Sequence, residues 1–119
     1  MKYNILHDKT LNFAANIVEL HKYLVRTQKE YDLPRQILRS GTSIGANCME
    51  SRSAQSTADF ISKLSIALKE ADETSYWLRL FLKINYISDE RFKSLDSELQ
   101  EIIKILVTII KKSKESLNS

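Results

Sequence analysis

The sequence predicts an all-α protein, an antiparallel up-down four-helix bundle, and three observations carry that prediction. Only 2 Gly and 1 Pro punctuate 119 residues, so the chain has few places to turn. Apolar residues recur every three or four positions over long stretches, which is the helical period. No useful length alternates apolar and polar residues as a half-buried strand would. Short links between long helices make sequence neighbours antiparallel partners, and the length suits one domain over 1–119 with a single core.

The first helix is expected over about 8–29, with Asp8 as N-cap. Leu11, Ala14, Ala15, Val18, Leu24 and Val25 would face the core, with Phe13, Ile17 and Leu20 widening the stripe. After "EYDL", Pro34 suits the first turn of a second helix over about 34–53, because a missing N–H costs nothing there. A third helix over about 56–85 carries Ile61, Leu64, Leu68, Ala71, Ser75, Leu78 and Leu82 as a coiled-coil-like seam. Phe60, Ala67, Thr74 and Phe81 lie beside that seam. Ser88 and Asp89 form a turn and cap, and a fourth helix over about 89–115 points Phe92, Leu95, Leu99, Ile102, Ile103, Leu106, Ile109 and Ile110 inward. The terminal "KESLNS" reads as a frayed tail.

Composition sets limits on function. Eighteen Lys and Arg against 15 Asp and Glu give a net charge of +3, compatible with a nucleic-acid partner and equally with an ordinary cytosolic protein. One cysteine, Cys48, has no internal partner for a disulfide, and no signal sequence opens the chain, so the expected home is the cytoplasm. The longest apolar cluster, Ile102 to Ile110, is broken by Lys104 and falls short of a membrane span.

"GTSIG", from Gly41 to Gly45, satisfies the G-x-S-x-G pattern of a hydrolase nucleophile elbow, with Ser43 as nucleophile. The context argues against catalysis. An elbow needs a strand before the serine and a histidine after it, whereas both His7 and His21 precede Ser43. The helical pattern runs through the motif, placing Ile37, Leu38, Gly41, Ile44, Gly45, Cys48 and Met49 on one side and Arg39, Ser43, Asn47 and Glu50 on the other. Gly41 and Gly45 then stand one turn apart on the buried side, where a missing Cβ lets a neighbouring helix approach. The segment is not a P-loop either, since the Gly-x4-Gly-Lys-Ser/Thr order is missing.

No other constellation supports catalysis, a metal, a cofactor or a small-molecule substrate. His21 lacks a histidine or glutamate at ligand spacing, and Glu70, Asp72 and Glu73, as near neighbours on a helix, cannot all converge on one ion. Cys48 reads as a small core residue.

The line Arg39, Ser43, Asn47 and Glu50 admits two readings. It is either a solvated face or a polar network against another helix, another subunit or RNA. Ser and Asn are poor mid-helix residues unless they hydrogen-bond something, and a network could pair Arg39 with Glu50, Glu70 or Glu73. Lys22, Arg26, Lys29, Arg35, Arg39 and Arg52 are candidates for phosphate contact, because residues 1–55 hold 8 basic and 5 acidic side chains while 56–119 hold 10 of each. Tyr23 and Tyr31 could add base stacking.

Arg39, Ser43-Ile44, Asn47 and Glu50, within "RSGTSIGANCMES", resemble the R-x3-S-I-x2-N-x2-E signature of the four-helix-bundle proteins named after the intervening sequences of bacterial 23S ribosomal RNA genes. "DFISKLSIALKEADETSYWLRLFLKINYIS" is similar to that family's third helix, with Phe60, Leu64, Ala67, Glu73 and Leu78 in order. Ser51 departs from the Gly or Ala that many relatives carry after the glutamate. The resemblance implies an antiparallel four-helix bundle, commonly a homopentamer, with no known enzymatic activity. It also implies kinship with the accessory variability protein of diversity-generating retroelements, a basic pentameric barrel that binds nucleic acid and a reverse transcriptase. On that kinship the expected partners are further copies of the chain and structured RNA or a nucleoprotein.

Overall fold

The computed structural model describes residues 2–118. Four helices fill it: α1 (Lys2–Gln28), α2 (Asp32–Ser51), α3 (Thr57–Lys83) and α4 (Asp89–Asn118). Each sequential pair packs side by side and α4 returns against α1, while α1 makes no close backbone approach to α3, nor α2 to α4. The cross-section is therefore a square with α1 diagonal to α3, in a body 51 × 22 × 20 Å.

Local chemistry sets the helix ends. Lys29 (φ 52°) and Asn85 (φ 63°) adopt left-handed backbone just beyond α1 and α3, and the Tyr86 N–H returns 2.8 Å to the Phe81 carbonyl as in a Schellman closure. Glu30 Oε2 accepts the Leu33 N–H at 2.7 Å, doing the capping that Tyr31, the residue at the N-cap, does not. Pro34 occupies the first turn of α2 as expected. Ser56 caps α3 by accepting from the Asp59 N–H at 3.0 Å, and Asp59 Oδ2 reaches back to the Gln55 N–H at 3.1 Å. Ser88 Oγ accepts the Arg91 N–H at 3.1 Å at the head of α4.

Several boundaries differ from the sequence expectation. α1 begins upstream of Asp8, because Leu6 (0% exposed) adds another turn to the buried stripe. Asp8 is thus inside the helix and caps nothing. α2 ends at Ser51, and the N–H groups of Arg52, Ser53 and Ala54 bond three residues back in tight turns. α4 continues to Asn118 through the segment expected to fray.

The core is displaced in phase from the expected one in two helices. In α1 the buried line is Leu6, Thr10, Phe13, Ile17, Leu20 and Leu24, while Leu11 is 72% exposed and Ala15 is also exposed. In α3 the innermost residues are Leu64, Ala67, Ala71, Thr74, Leu78 and Phe81, with Ile61, Leu68 and Leu82 half-buried at the edge. In each line a hydroxyl-bearing residue meets α2: Thr10 lies against Gly45, and Thr74 bonds Ser40. Gly41 and Gly45 of α2 give α1 room to approach: a Cβ on Gly41 would lie 2.9 Å from two carbons of Ile17, and one on Gly45 would lie 3.2 Å from Thr10 Cβ.

Candidate functional site

The line from Arg39 to Glu50 faces the groove between α2 and α3, and most of its polar groups are satisfied within the chain. Arg39 Nη1 donates to Glu70 Oε2 at 3.2 Å, and its other terminal nitrogen pairs with Glu73. Trp77 Nε1 donates to the same Glu73 oxygen at 3.0 Å. One guanidinium thus bridges two carboxylates a turn apart, and an indole fixes the second of them. Behind this group, Thr74 Oγ1 donates to the Glu70 carbonyl at 2.7 Å and shares a hydroxyl–hydroxyl bond of 2.9 Å with the buried Ser40. Of the three possible partners of Arg39, Glu50 is not used: it pairs with Lys63 at 3.6 Å further along the groove.

Ser43 and Asn47 turn back on their own helix. Ser43 Oγ donates to the Arg39 carbonyl at 2.6 Å and Asn47 Nδ2 to the Ser43 carbonyl at 2.8 Å. These bonds reconcile two weak helix formers with a mid-helix position. They also commit the Ser43 proton to a backbone acceptor rather than to a general base. Burial pushes the Cys48 thiol up to about 12, which removes the thiolate at neutral pH. Among the described residues no group of three His, Cys, Asp or Glu side chains could hold a metal ion.

The six basic candidates separate into three settings. Lys22, Arg26, Lys29 and Arg35 are exposed at the end of the bundle that carries the α1–α2 and α3–α4 links. Lys22 and Arg35 have only local partners, Glu19 and Asp32, each at 3.7 Å; exposed pairs of this kind hold weakly. Arg39 is committed to Glu70 and Glu73. Arg52 follows the far end of α2, its guanidinium 3.7 Å from Met49 Sδ.

Folding adds residues that the linear reading missed. Arg79, Lys83, Arg91 and Lys93 of α3 and α4 reach the same end and are all exposed, so residues 19–35 and 79–93 together hold 8 basic and 5 acidic side chains. This end carries the whole +3 excess of the chain. The Arg91 guanidinium carbon stands over the Tyr23 ring, 4.0 Å from its centre, with that of Arg26 at 5.9 Å, leaving that tyrosine to order arginines. Tyr31 is 59% exposed. Tyr86 donates to Glu30 Oε1 at 3.3 Å and ties the two links together; partial burial, then the Glu30 carboxylate, pushes its phenol up.

The other three grooves differ in character. Between α1 and α4, Lys9 meets Glu101 at 2.6 Å and Asn16 Nδ2 meets both Glu98 oxygens at 2.9 and 3.1 Å. The groove between α1 and α2, about 520 Å³, has an apolar floor that includes Leu11, Ala14, Gly45, Ala46 and Met49. Another of about 380 Å³ lies between α3 and α4 around Leu68, Val107 and Ile110. No helix among the described residues is long and apolar enough to cross a membrane.

Comparison with known proteins agrees with this architecture. The sequence model of the 23S rRNA-intervening sequence protein family matches residues 2–108. A crystal structure from Bacteroides thetaiotaomicron VPI-5482, described as a protein with unknown function from the S23 ribosomal protein family, is 56% identical and superposes with a TM-score of 0.92, covering 93% of this chain and 99% of its own. No curated protein matches the chain.

Proposed function

The chain belongs to the 23S rRNA-intervening sequence protein family, and from that premise we propose that it is a non-enzymatic, cytoplasmic four-helix bundle that assembles into a homo-oligomer, a pentamer by family likeness, and binds structured RNA or a nucleoprotein partner. The observation that carries the nucleic-acid reading is the link end of the bundle. There Lys22, Arg26, Lys29 and Arg35 are joined by Arg79, Lys83, Arg91 and Lys93, all exposed, Lys22 and Arg35 in local surface pairs and Arg26 and Arg91 beside the Tyr23 ring. Phosphates can displace such pairs, because counterion release favours multivalent contact with a polyanion. Repetition of this end by assembly multiplies the contact.

The test is binding of a fluorescent RNA hairpin over a salt series. Affinity should fall steeply with salt, and replacing Arg26 and Arg91 with Gln should lower both affinity and salt slope. Absence of binding at low salt by the intact protein would reject the RNA reading.

A second reading, a protein-interaction scaffold without nucleic-acid affinity, is favoured by the two apolar grooves. Partners that survive nuclease treatment, together with no RNA binding at low salt, would select it.

A further inference from the structure

We infer that Tyr23 is a positioning residue of the basic link end: its ring holds the Arg26 and Arg91 guanidiniums in place to meet nucleic-acid phosphates, and it does not itself stack on a base. The inference rests on the nucleic-acid reading of that end and says which chemical part of the polymer these residues take hold of. Tyr23 and Arg26 stand one turn apart near the end of α1, and Arg91 lies in the first turn of α4. A cation in the last turn of a helix agrees with the helix dipole, whereas one in the first turn opposes it. Helix stability therefore gives no reason for an arginine at position 91. The Tyr23 ring supplies the attraction instead, with the two guanidinium carbons 4.0 Å (Arg91) and 5.9 Å (Arg26) from its centre.

A cation–π contact holds an arginine without using its N–H groups. Among the described residues the arginine side chains that donate hydrogen bonds are Arg39 and Arg52, and neither Arg26 nor Arg91 enters an ion pair. Glu19, Glu90 and Glu98 line the same groove as Arg91, yet Glu19 pairs with Lys22 and Glu98 with Asn16. The donors of both planar forks thus stay available for phosphate oxygens. Arg39 is the contrast, its fork spent on Glu70 and Glu73. Holding long side chains in place beforehand also lowers the ordering cost of binding. The separation of the two guanidinium carbons is at most the sum of their distances to the ring centre, a span in which a strand with one phosphate per ~3.4 Å of axis offers more than one. A ring that stacks on bases needs a free face. Tyr23 has Arg91 over it and is half-buried against the core, so it is poorly placed to receive one.

Fluorescence anisotropy with an RNA hairpin and a blunt RNA duplex, over a salt series, tests this on the wild type, Tyr23→Phe and Tyr23→Leu, each checked for wild-type helicity. Tyr23→Phe keeps the ring and should keep the affinity. Tyr23→Leu keeps an apolar side chain against the core and should bind both RNAs about 2- to 5-fold more weakly, the equivalent of a cation–π contact at an exposed site. Its salt slope should not change, since no charge is removed. In an Arg26→Gln, Arg91→Gln background the same Tyr23→Leu change should have no further effect. Wild-type affinity in Tyr23→Leu, an equal loss in Tyr23→Phe, or an undiminished loss in the double-Gln background overturns the positioning role. A loss confined to the hairpin, whose loop offers unpaired bases, overturns it in favour of base stacking. A wild type that binds neither RNA at low salt overturns the nucleic-acid reading itself, and the inference with it.

Discussion

Replacing Gly41 with alanine sets two known effects against each other, and the geometry decides between them. Alanine is favoured over glycine by about 1 kcal/mol in a helix interior, so an uncrowded site would gain stability. At Gly41 the added Cβ would lie 2.9 Å from both Ile17 Cγ1 and Cγ2 and 3.3 Å from its Cβ. Ile17 is fully buried, and a branched side chain in a helix has essentially one rotamer, so it has no way to turn aside. Overpacking of this kind costs about 1–3 kcal/mol, and a double contact with a stiff partner belongs near the upper end. The net expectation for Gly41→Ala is a loss of about 2 kcal/mol.

Gly45 provides the control. Its added Cβ would meet Thr10 at 3.2 and 3.3 Å, which asks for a shift of only a few tenths of an ångström. The cost there is about 1 kcal/mol by the same rule, and the helix-propensity gain offsets it, so Gly45→Ala should be nearly neutral. Urea unfolding followed by far-UV circular dichroism at one protein concentration measures both, since assembly would otherwise shift the midpoint. In an Ile17→Ala background the clash disappears, and Gly41→Ala should become stabilising, giving a coupling of roughly 2 kcal/mol or more. A Gly41→Ala protein as stable as wild type, or a larger loss at Gly45 than at Gly41, would refute the close-packing argument.

Other expectations concern the polar groups. Arg39→Gln leaves Glu70 and Glu73 without their shared cation; with the arginine side chain half exposed, the loss should be about 1 kcal/mol in urea unfolding, whereas Ser43→Ala should stay within about 0.5 kcal/mol, like an ordinary surface change. Cys48, fully buried and with its thiol pushed from 9.0 up to about 12, should react with a thiol reagent at mildly alkaline pH at least roughly 10-fold more slowly in the folded protein than in urea. Because that thiol is protonated more tightly when folded, its contribution to stability is full below pH 9, is lost as pH rises and is gone near 12. Lys9, by bond and charge, holds the Glu101 carboxyl below its ordinary 4.5; this contribution is present above that value and lost on acidification, so Lys9→Met should make the acid limb of a stability–pH curve shallower.

Four helices and their order were legible because each carries a long apolar period and Gly and Pro are scarce. The phase of two of them was not. In α1, Thr10 occupies a core position (2% exposed) by bonding the His7 carbonyl at 3.1 Å, and a reading that looks for large apolar residues passes over it and chooses Leu11. In α3, Ala67, Ala71 and Thr74 hold the centre, with Thr74 bonded to Ser40 of α2, and a single sequence does not reveal which small residues a neighbouring helix will cover. The start of α1 was missed for a related reason: a good capping residue, Asp8, sits well inside a helix that begins at Lys2 and whose core extends to Leu6. In the polar line, Arg39, Ser43 and Asn47 were found by their poor fit to an ordinary exposed face. The Glu73–Trp77 pair was also within reach, four residues apart on one helix. Arg79, Lys83, Arg91 and Lys93 lay beyond it, because only the antiparallel return of α3 and α4 sets them beside Lys22 and Arg26.

The same geometry separates assembly from nucleic-acid binding. α2 uses Gly41 and Gly45 against α1 and Arg39 and Glu50 against α3, leaving Thr42, Ala46 and Met49 to the open apolar groove, while the basic residues collect at the link end. If assembly uses the two apolar grooves, a neutral double variant, Leu11→Gln with Val107→Gln, should abolish it while leaving the charge of each basic end intact. If several ends of one assembly engage the same RNA, the gain comes from effective concentration rather than from new contacts. The variant should then bind about 100-fold more weakly, at the low end of avidity gains, with a salt slope reduced to that of a single end. Equal affinity for the single chain and the assembly, measured on the same hairpin, would mean that each end acts alone.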